Sequence, residues 1–594
     1  MTTLIGFFQF YFHRVRQSLI SPKYSYNASY HEHAIMKDIS IFPSDPTFSV
    51  IIPVYDPDII LLNRAVNSVK NQIYPHWELW IIDDGSKNKK ITKYLSRLNN
   101  SKIHVRTLKD NSGVSAACNE GISISSGEYI AFLDHDDELT PDALYEISIA
   151  IRKGNPDILY SDEDIIRNNH EYISAHFKPD FSPDLLLSHN YITHLLVVRR
   201  PLLIESGGFR SEYNGAQDYD LILRLTDTAK TVCHIRKVLY HWRFLPRSQS
   251  HRKVSRNKCS DAGFRCLEDT LKRRSVEGHV ENTELDNHFR VVRSINGNPL
   301  ISLILIGNEN RQVFEKCIFG FFSIPGYTNF ELLLIPQGFS QRDISILEDK
   351  FADLSTRKIS ILTGMQDTSF PGLLNSVLER TNGEYSLFSC PIFPQPYWID
   401  ALLEHAQRKD VGAVGGKVLY PNHTVMHAGH ILGIHGLIGL SHNGFPERSG
   451  GYFHRLNLIQ NVISVSPYFM MVKKSLYQEA GGMDEQHYSS SLCGADFCLT
   501  LHEMGYLNVY TPFCQAVSAV KNIHLLPGSG RTSSESDFFR ERFRGLLESG
   551  DPFYNRNLTL EREDFGYADE IRGNSYGMTA RYPKTGLWHY WVSR

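Results

Sequence analysis

Three aspartates stand together in "YIAFLDHDDEL", residues 129–139, where Asp134, Asp136 and Asp137 follow directly on an apolar run. A second acidic pair, Asp83 and Asp84, closes a similar run, "WELWIIDDGS". Crowded carboxylates repel one another and resist burial. A hard divalent cation removes both objections, because it takes oxygen ligands from carboxylates, water and phosphate. Side chains alternate along an extended segment, which would put Asp134 and Asp136 on the same side. That pair alone is open to two readings, a metal site or a solvated acidic turn. Acids at the ends of two separate strands favour the metal.

Two further groups suit proton or metal chemistry. "NGAQDYDLILRL", residues 214–225, opens a helix after a glycine, with Asp218 and Asp220 near its start. Helix amides favour negative charge there, so each is a candidate base or only a cap. His241, in "VLYHWRFLPRS", is either a metal ligand or a packing histidine. A Gly-rich phosphate loop with Lys-Ser/Thr is missing, and no Gly-x-Gly-x-x-Gly follows the first apolar run. The sequence therefore argues against an ATPase or a dinucleotide oxidoreductase. A metal held by carboxylates instead suits a diphosphate leaving group.

The elements that must position these residues are legible. "FSVIIPVY" reads as a strand over 48–55, and Leu62, Val66 and Val69 mark a helix. Trp77–Ile82 and "YIAFLD" read as strands, each ending in acids. "TPDALYEISIAI" reads as a helix with Thr140 as N-cap and Pro141 at its first position. Alternating strands and helices predict a mostly parallel α/β sheet, whose ligands sit outside the carboxyl ends of the strands.

The pattern then repeats. "NFELLLIPQG" mirrors "HWELWIIDDG", and "TNGEYSLFSCPIF" mirrors "SSGEYIAFLDHDD". "YQEAGGMDE" mirrors "LIESGGFRS". Two domains of one fold follow, near 46–290 and 298–560, with an extension at 1–45 and a tail at 561–594. In the extension, Phe7, Phe8, Phe10, Tyr11 and Phe12 precede Arg14, Arg16 and Lys23. About twelve apolar residues are too few to span a bilayer, where about 20 are needed. The segment reads as a terminal helix packed on the body or as a membrane-surface helix.

Bulk composition fits this picture. The chain has 594 residues, 42% hydrophobic and 21% charged, a length that argues for several domains. A net charge of -3 leaves no nucleic-acid footprint. Nine cysteines without a Cys-x-x-Cys pair argue against a disulfide framework and for a reducing compartment.

In order along the chain, "SVIIPVY", "WELWIIDDGS", "GVSAACNEG", "GEYIAFLDHDDEL", "YSDED", "HFKPDFSPDLLLSHNYI", "GGFRSEYNGAQDYDLILR" and "VLYHWR" resemble the family 2 glycosyltransferases of GT-A fold. The likeness is strongest to tandem-domain members of bacterial O-antigen and surface-polysaccharide synthesis. "VGAVGGKVLYPNHTVMHAG", "GYFHRLNLIQNV", "GGMDE" and "DPFYNRNLTLEREDF" are similar to the usual second domain.

The resemblance implies roles. Asp83 would meet the nucleotide base, and Asp84 the ribose or an orienting contact. Pro53, Val54 and Tyr55 would line the nucleotide pocket. Asp134 and Asp136 would be the Asp-x-Asp motif, with Asp136 the main ligand of Mn²⁺ or Mg²⁺ and His241 a second one. Asp218 would be the catalytic base, with Asp220 structural or on the acceptor side. Asp162, Glu163 and Asp164 would face the acceptor or form a solvated turn. A UDP- or dTDP-sugar would donate to a hydroxyl of a lipid-linked or growing polysaccharide, with inversion, at the cytoplasmic membrane face. A mobile cover would exclude water, and "LPGSGRTSSES", residues 526–536, has the composition for it.

The second half departs from the pattern. Cys390-Pro391-Ile392 stand where Asp134-His135-Asp136 stand in the first half. Pro336-Gln337 replace Asp83-Asp84, and Gly494 falls at Asp218 while Asp496 matches Asp220. This half is expected not to transfer sugar. It would hold glycan, shape the acceptor site, mediate oligomerisation or complete the core. Its His427, His430, His435 and His442 read as loop and core histidines. The rival readings of the whole are a non-catalytic glycan-binding scaffold and a sugar-1-phosphate nucleotidyltransferase.

Overall fold

The computed structural model describes residues 46–167, 171–244, 253–307, 310–352, 359–365, 368–521, 531–568, 576–581 and 588–592. The N-terminal extension lies outside them. So do residues 526–530 of the expected cover; its remainder enters a helix, Ser533–Arg542, closed by a capping box between Thr532 and Glu535.

The first sheet is built from β1 (Phe48–Val54), β2 (Trp77–Asp83), β3 (Ile103–Thr107), β4 (Tyr129–Phe132), β5 (Glu138–Leu139), β6 (Ile158–Ile166), β7 (Tyr172–His176), β8 (Leu196–Arg199) and β9 (Thr231–Arg243). Its central order is β9-β6-β8-β4-β1-β2-β3. β1, β2, β3 and β4 run parallel, as do β6 and β9, while β8 is antiparallel to both of its neighbours. β1 is buried along nearly its whole length, as a strand covered on both faces must be.

The second sheet repeats this plan strand for strand, over 507–518, 411–419, 469–473, 385–389, 301–306, 330–335 and 359–361 in the same spatial order. The strand directions repeat as well. Register fixes the equivalences. Phe48 pairs with Trp77 and Tyr129, and Ile301 pairs with Phe330 and Tyr385. Asp83 therefore corresponds to Pro336 and Asp134 to Cys390.

The residues that the two halves share have a structural reason. Ser49 Oγ donates to Glu78 at 2.6 Å, and Ser302 Oγ donates to Glu331 at 2.6 Å. Each serine in turn accepts the amide of the glycine that opens the next strand, Gly127 at 2.8 Å and Gly383 at 2.9 Å. A Cβ at either glycine would lie 2.5 Å from the serine amide nitrogen. Likewise Asn119 holds both backbone groups of Phe209, and Asn375 holds both of Met483. The repeated letters clamp the loop between a helix and the strand after it.

A local expectation is corrected at the helix after β5. The helix after β5 spans Ala143–Gly154 with Asp142, not Thr140, at its N-cap position. Thr140 instead donates its hydroxyl to Asp142 at 2.7 Å.

The halves share one apolar core, which runs from Leu185, Leu186 and Leu221 to Ile301, Phe469 and Phe553. Residues 551–567 return to the first half. Asp180 N donates to the Pro552 carbonyl at 2.7 Å, Asn555 reaches Asp162, and Asn557 donates to the Arg236 carbonyl at 3.0 Å. Strand Tyr576–Arg581 pairs with β9. The boundary expected at 560 thus falls within a segment laid between the halves. All nine cysteines are free.

If the clamp is structural, Gly383→Ala lowers the thermal midpoint as strongly as Gly127→Ala, each by the equivalent of about 1–3 kcal/mol of overpacking. Thermal unfolding of the two variants checks this.

Candidate functional site

Pro53, Val54, Tyr55, Asp83, Asp84 and Asp134 lie at the carboxyl ends of β1, β2 and β4. Asp83 ends β2, 1% exposed. Its Oδ1 accepts the Ser86 amide at 3.0 Å, while its buried Oδ2 has no hydrogen-bond partner. A buried carboxylate oxygen without a partner is costly and calls for a ligand donor. Asp84 is already engaged. Its two oxygens accept the amides of Ser112 and Gly113, each at 2.8 Å, and so fix the loop that enters helix Val114–Ile124. That loop continues the contact, because Ser115 Oγ donates to Asn214 at 2.5 Å, four residues before Asp218. Pro53 is half-buried and Tyr55 exposed, while Val54 between them points into the core.

The acidic segment after β4 is not extended. His135 and Asp136 form a turn, closed by the Asp137 amide donating to the Asp134 carbonyl at 3.3 Å. The turn replaces alternation, and Asp137 rather than Asp136 comes to Asp134. Among the described residues, ligand atoms of Asp134, Asp137 and His194 lie within 4.8 Å of one another. Tyr240 organises this group. Its hydroxyl donates to Asp137 Oδ2 at 2.6 Å and accepts the Asp134 amide at 3.3 Å, and its ring stacks on His194 at 4.5 Å. The Arg243 amide holds the other Asp137 oxygen at 2.7 Å, and its guanidinium donates to the Asp136 carbonyl at 2.8 Å. Burial, then the charges of Asp134 and Asp136, push the Asp137 pKa well above the carboxylate range. Burial also raises that of Asp136, where the neighbouring His135 pulls the other way. A divalent cation would reverse this repulsion, and the donor set of two carboxylates and an imidazole is compatible with one.

Asp218 sits in the first turn of helix Gln217–Thr228 and is half-buried. Its Oδ2 accepts the Asn190 side-chain amide at 3.0 Å. Burial raises its pKa; His194 opposes that and Asp134 adds to it. Asp218 therefore feels two members of the Asp134–Asp137–His194 group.

The other expected residues serve different ends. Asp220 is 1% exposed and ion-paired with Arg210 and with Arg224, the latter at 2.8 Å. Asp162 is fully buried and accepts from the Lys178 amide, His234 and Asn555. Asp164 is fully buried against His241, 2.6 Å from its Nδ1. His241 thus belongs to a buried pair and stands outside the gathered acidic group. Of the "YSDED" acids only Glu163 keeps some exposure, and it accepts Thr193 Oγ1 at 3.0 Å. Burial alone would raise its pKa, but Lys178, with His176 and His194 beside it, holds it well below the usual range.

His194, Asp137 as a member of the group, and Asn190 were not assigned from sequence. His194 lies 60 residues from Asp134 in the chain, and only the antiparallel pairing of β4 with β8 brings that stretch alongside.

At the equivalent positions the second half holds other groups. Cys390 is buried at the Asp134 position. By the register of β8 against its counterpart, Pro467 and Tyr468 stand at Thr193 and His194. A Cβ at Gly494, the Asp218 position, would lie 2.6 Å from Pro467. Among the four histidines, burial pushes His427 down to about 4 and His430 down to about 3.

Residues 49–204 match the family model "Glycosyl transferase family 2". The chain is 34% identical over 535 residues to "Uncharacterized protein y4gI" of Sinorhizobium fredii, covering 88% of this chain and 58% of that protein. It is 30% identical over 532 residues to "O-antigen biosynthesis protein RfbC" of Myxococcus xanthus, covering 88% and 41%. It is 28% identical over 255 residues to "Amylovoran biosynthesis glycosyltransferase AmsB" of Erwinia amylovora, covering 41% and 82%. The chain spans about half the length of the first two. Residues 49–204 form a family 2 glycosyltransferase domain. It resembles the glycosyltransferases of bacterial surface-polysaccharide synthesis.

His241→Ala should strip a buried carboxylate, Asp164, of its partner and lower stability by about 3–5 kcal/mol. Its thermal midpoint, measured beside that of His194→Ala, checks this. The half-buried His194 should be nearly neutral for stability.

Proposed function

We propose that the first half transfers a sugar from a nucleotide-diphospho-sugar, UDP- or dTDP-linked, to a hydroxyl of a lipid-linked or growing surface polysaccharide, with inversion. The observation that carries this reading is the meeting of three features at the strand ends. They are the unpartnered Asp83 Oδ2, the Asp134–Asp137–His194 group, and Asp218 beside that group.

Asp83 takes an N–H of the base, and the exposed faces of Pro53 and Tyr55 flank it. Asp84 acts at one remove, by holding the Ser112–Gly113 loop. Asp134, Asp137 and His194 would hold Mn²⁺ or Mg²⁺, with Asp136 next to them in the turn. The imidazole favours Mn²⁺. When bound, the cation neutralises charge on the departing nucleoside diphosphate. Asp218 accepts the proton of the acceptor hydroxyl, and Asn190 orients its carboxylate for that. The hydroxyl oxygen then bonds to the anomeric carbon as the bond to the diphosphate breaks on the opposite face. The second half does not catalyse; its equivalent positions hold Cys390, Tyr468 and Gly494. Among the described residues no helix is long and apolar enough to cross a membrane. Contact with a membrane-borne acceptor would be peripheral.

The test is nucleoside-diphosphate release from UDP-, dTDP- and GDP-sugars with Mn²⁺, with and without a solvent extract of lipid-linked saccharides. Acceptor-stimulated release from one donor is expected. Asp218→Asn should lower kcat by about 10²–10⁴-fold with nucleotide binding retained. Asp134→Ala should abolish Mn²⁺-dependent nucleotide binding. Pyrophosphate release would mark a nucleotidyltransferase instead, and neither release nor nucleotide binding would mark a scaffold.

A further inference from the structure

The segment "GYFHRLN", residues 451–457, belongs to the second half, yet it packs on the first half and is linked to that half's site through intervening side chains. Its 3-10 turn spans Tyr452–Asn457. The Tyr452 hydroxyl pins the turn to the first half. It accepts the Phe177 amide at 2.8 Å and donates to the Phe177 carbonyl at 3.2 Å. On the other side His442 Nε2 accepts the Tyr452 amide at 3.2 Å. Tyr452, Arg455 and Leu456 are buried, whereas Phe453 and His454 keep part of their surface.

These two residues are also the strained ones. Phe453 has φ 46° and ψ 43°, and His454 has φ 62° and ψ 12°. Consecutive left-handed residues that carry a Cβ are disfavoured, and such strain gathers where a side chain must be aimed. Each heads a chain of contacts that ends at one flank of the site. The Phe453 ring stacks on His176 at 3.7 Å and 13°. His176 Nδ1 lies 3.5 Å from Glu163, which binds Thr193, the residue before His194. His454 lies 5.4 Å from His288, which stacks on His189 at 4.9 Å, and the next residue, Asn190, binds Asp218. Burial, then the neighbouring imidazoles, keep His189 uncharged, and burial lowers the pKa of His288 too. The surface is aromatic and supplied with ring nitrogens. A saccharide fits it, with its C–H face on an aromatic ring and its hydroxyls on the imidazoles.

We propose that Phe453 and His454 are the acceptor-binding wall of the first half's site, and that they take a sugar ring of the acceptor glycan. The role of the second half is then to supply this wall. The inference rests on the glycosyltransferase reading above.

The experiment uses the full chain, the donor found in the panel above, Mn²⁺, and the lipid-linked saccharide extract as titrated acceptor. Phe453→Gly removes the ring but suits the left-handed backbone, as does His454→Gly. The expected result for Phe453→Gly is an acceptor KM raised about three- to tenfold, the worth of one lost stacking contact. Acceptor-free donor hydrolysis and Mn²⁺-dependent nucleotide binding stay at the wild-type level, with the thermal midpoint equal or higher. Phe453→Tyr keeps the wild-type KM. An unchanged acceptor KM in both glycine variants overturns the inference and leaves the transferase reading standing. A lower midpoint with hydrolysis and transfer lost together also overturns it, since that marks a packing role. Wild-type protein that turns over no donor removes the transferase reading, and this inference with it.

Discussion

The buried charge of Asp162 is the constraint on which the joint architecture depends. Its carboxylate is fully removed from water and accepts from the Lys178 amide, from His234 and from Asn555. These partners come from the loop after β7, from β9 and from the second half. His234 is itself shared with Asp180, which pairs with Arg236. An unpaired buried carboxylate would cost several kcal/mol. The network therefore closes only when residues 551–557 of the second half are in place. The same stretch of chain carries Glu163 and Asp164, which bind Thr193 and His241 of the first half.

The two halves show which parts of one fold are for folding and which are for chemistry. The Ser-Glu-Gly clamp, the asparagine clamp and the strand order persist in both. The acids, His194 and the Asp218 equivalent are absent from the second. Backbone amides and carbonyls at a loop must be satisfied in any copy of the fold, so their partners stay. Crowded carboxylates are unfavourable without a ligand to justify them, and the second half holds Cys390, Pro467 and Gly494 at the corresponding places. In Gly494 the change is complete, because Pro467 fills the space that a carboxylate would need.

Much of the site was readable residue by residue. Asp83 ends β2 and Asp134 follows β4, as the strand–helix alternation implies, and Asp218 opens a helix within reach of the Asp134 charge. What misled was local geometry. Period-two alternation placed Asp136 with Asp134, but a turn at His135–Asp136 hands that place to Asp137. "YSDED" reads as facing the acceptor or as a solvated turn, but it lies in strand β6, and pairing on both sides buries Asp162 and Asp164.

By itself the sequence determined the α/β class, the duplication, the loss of acids in the second half and the chemistry available to the first. Those follow from patterns of period two and 3.6 and from residue types, which are local properties. Tertiary structure alone decided which acids face each other, that His194 joins them, that His241 is held by Asp164, and that Phe453 and His454 meet His176 and His288 of the first half. These depend on strand pairing and on packing between residues tens to hundreds of positions apart. Their geometry is fixed by burial and by hydrogen-bond satisfaction rather than by spacing along the chain.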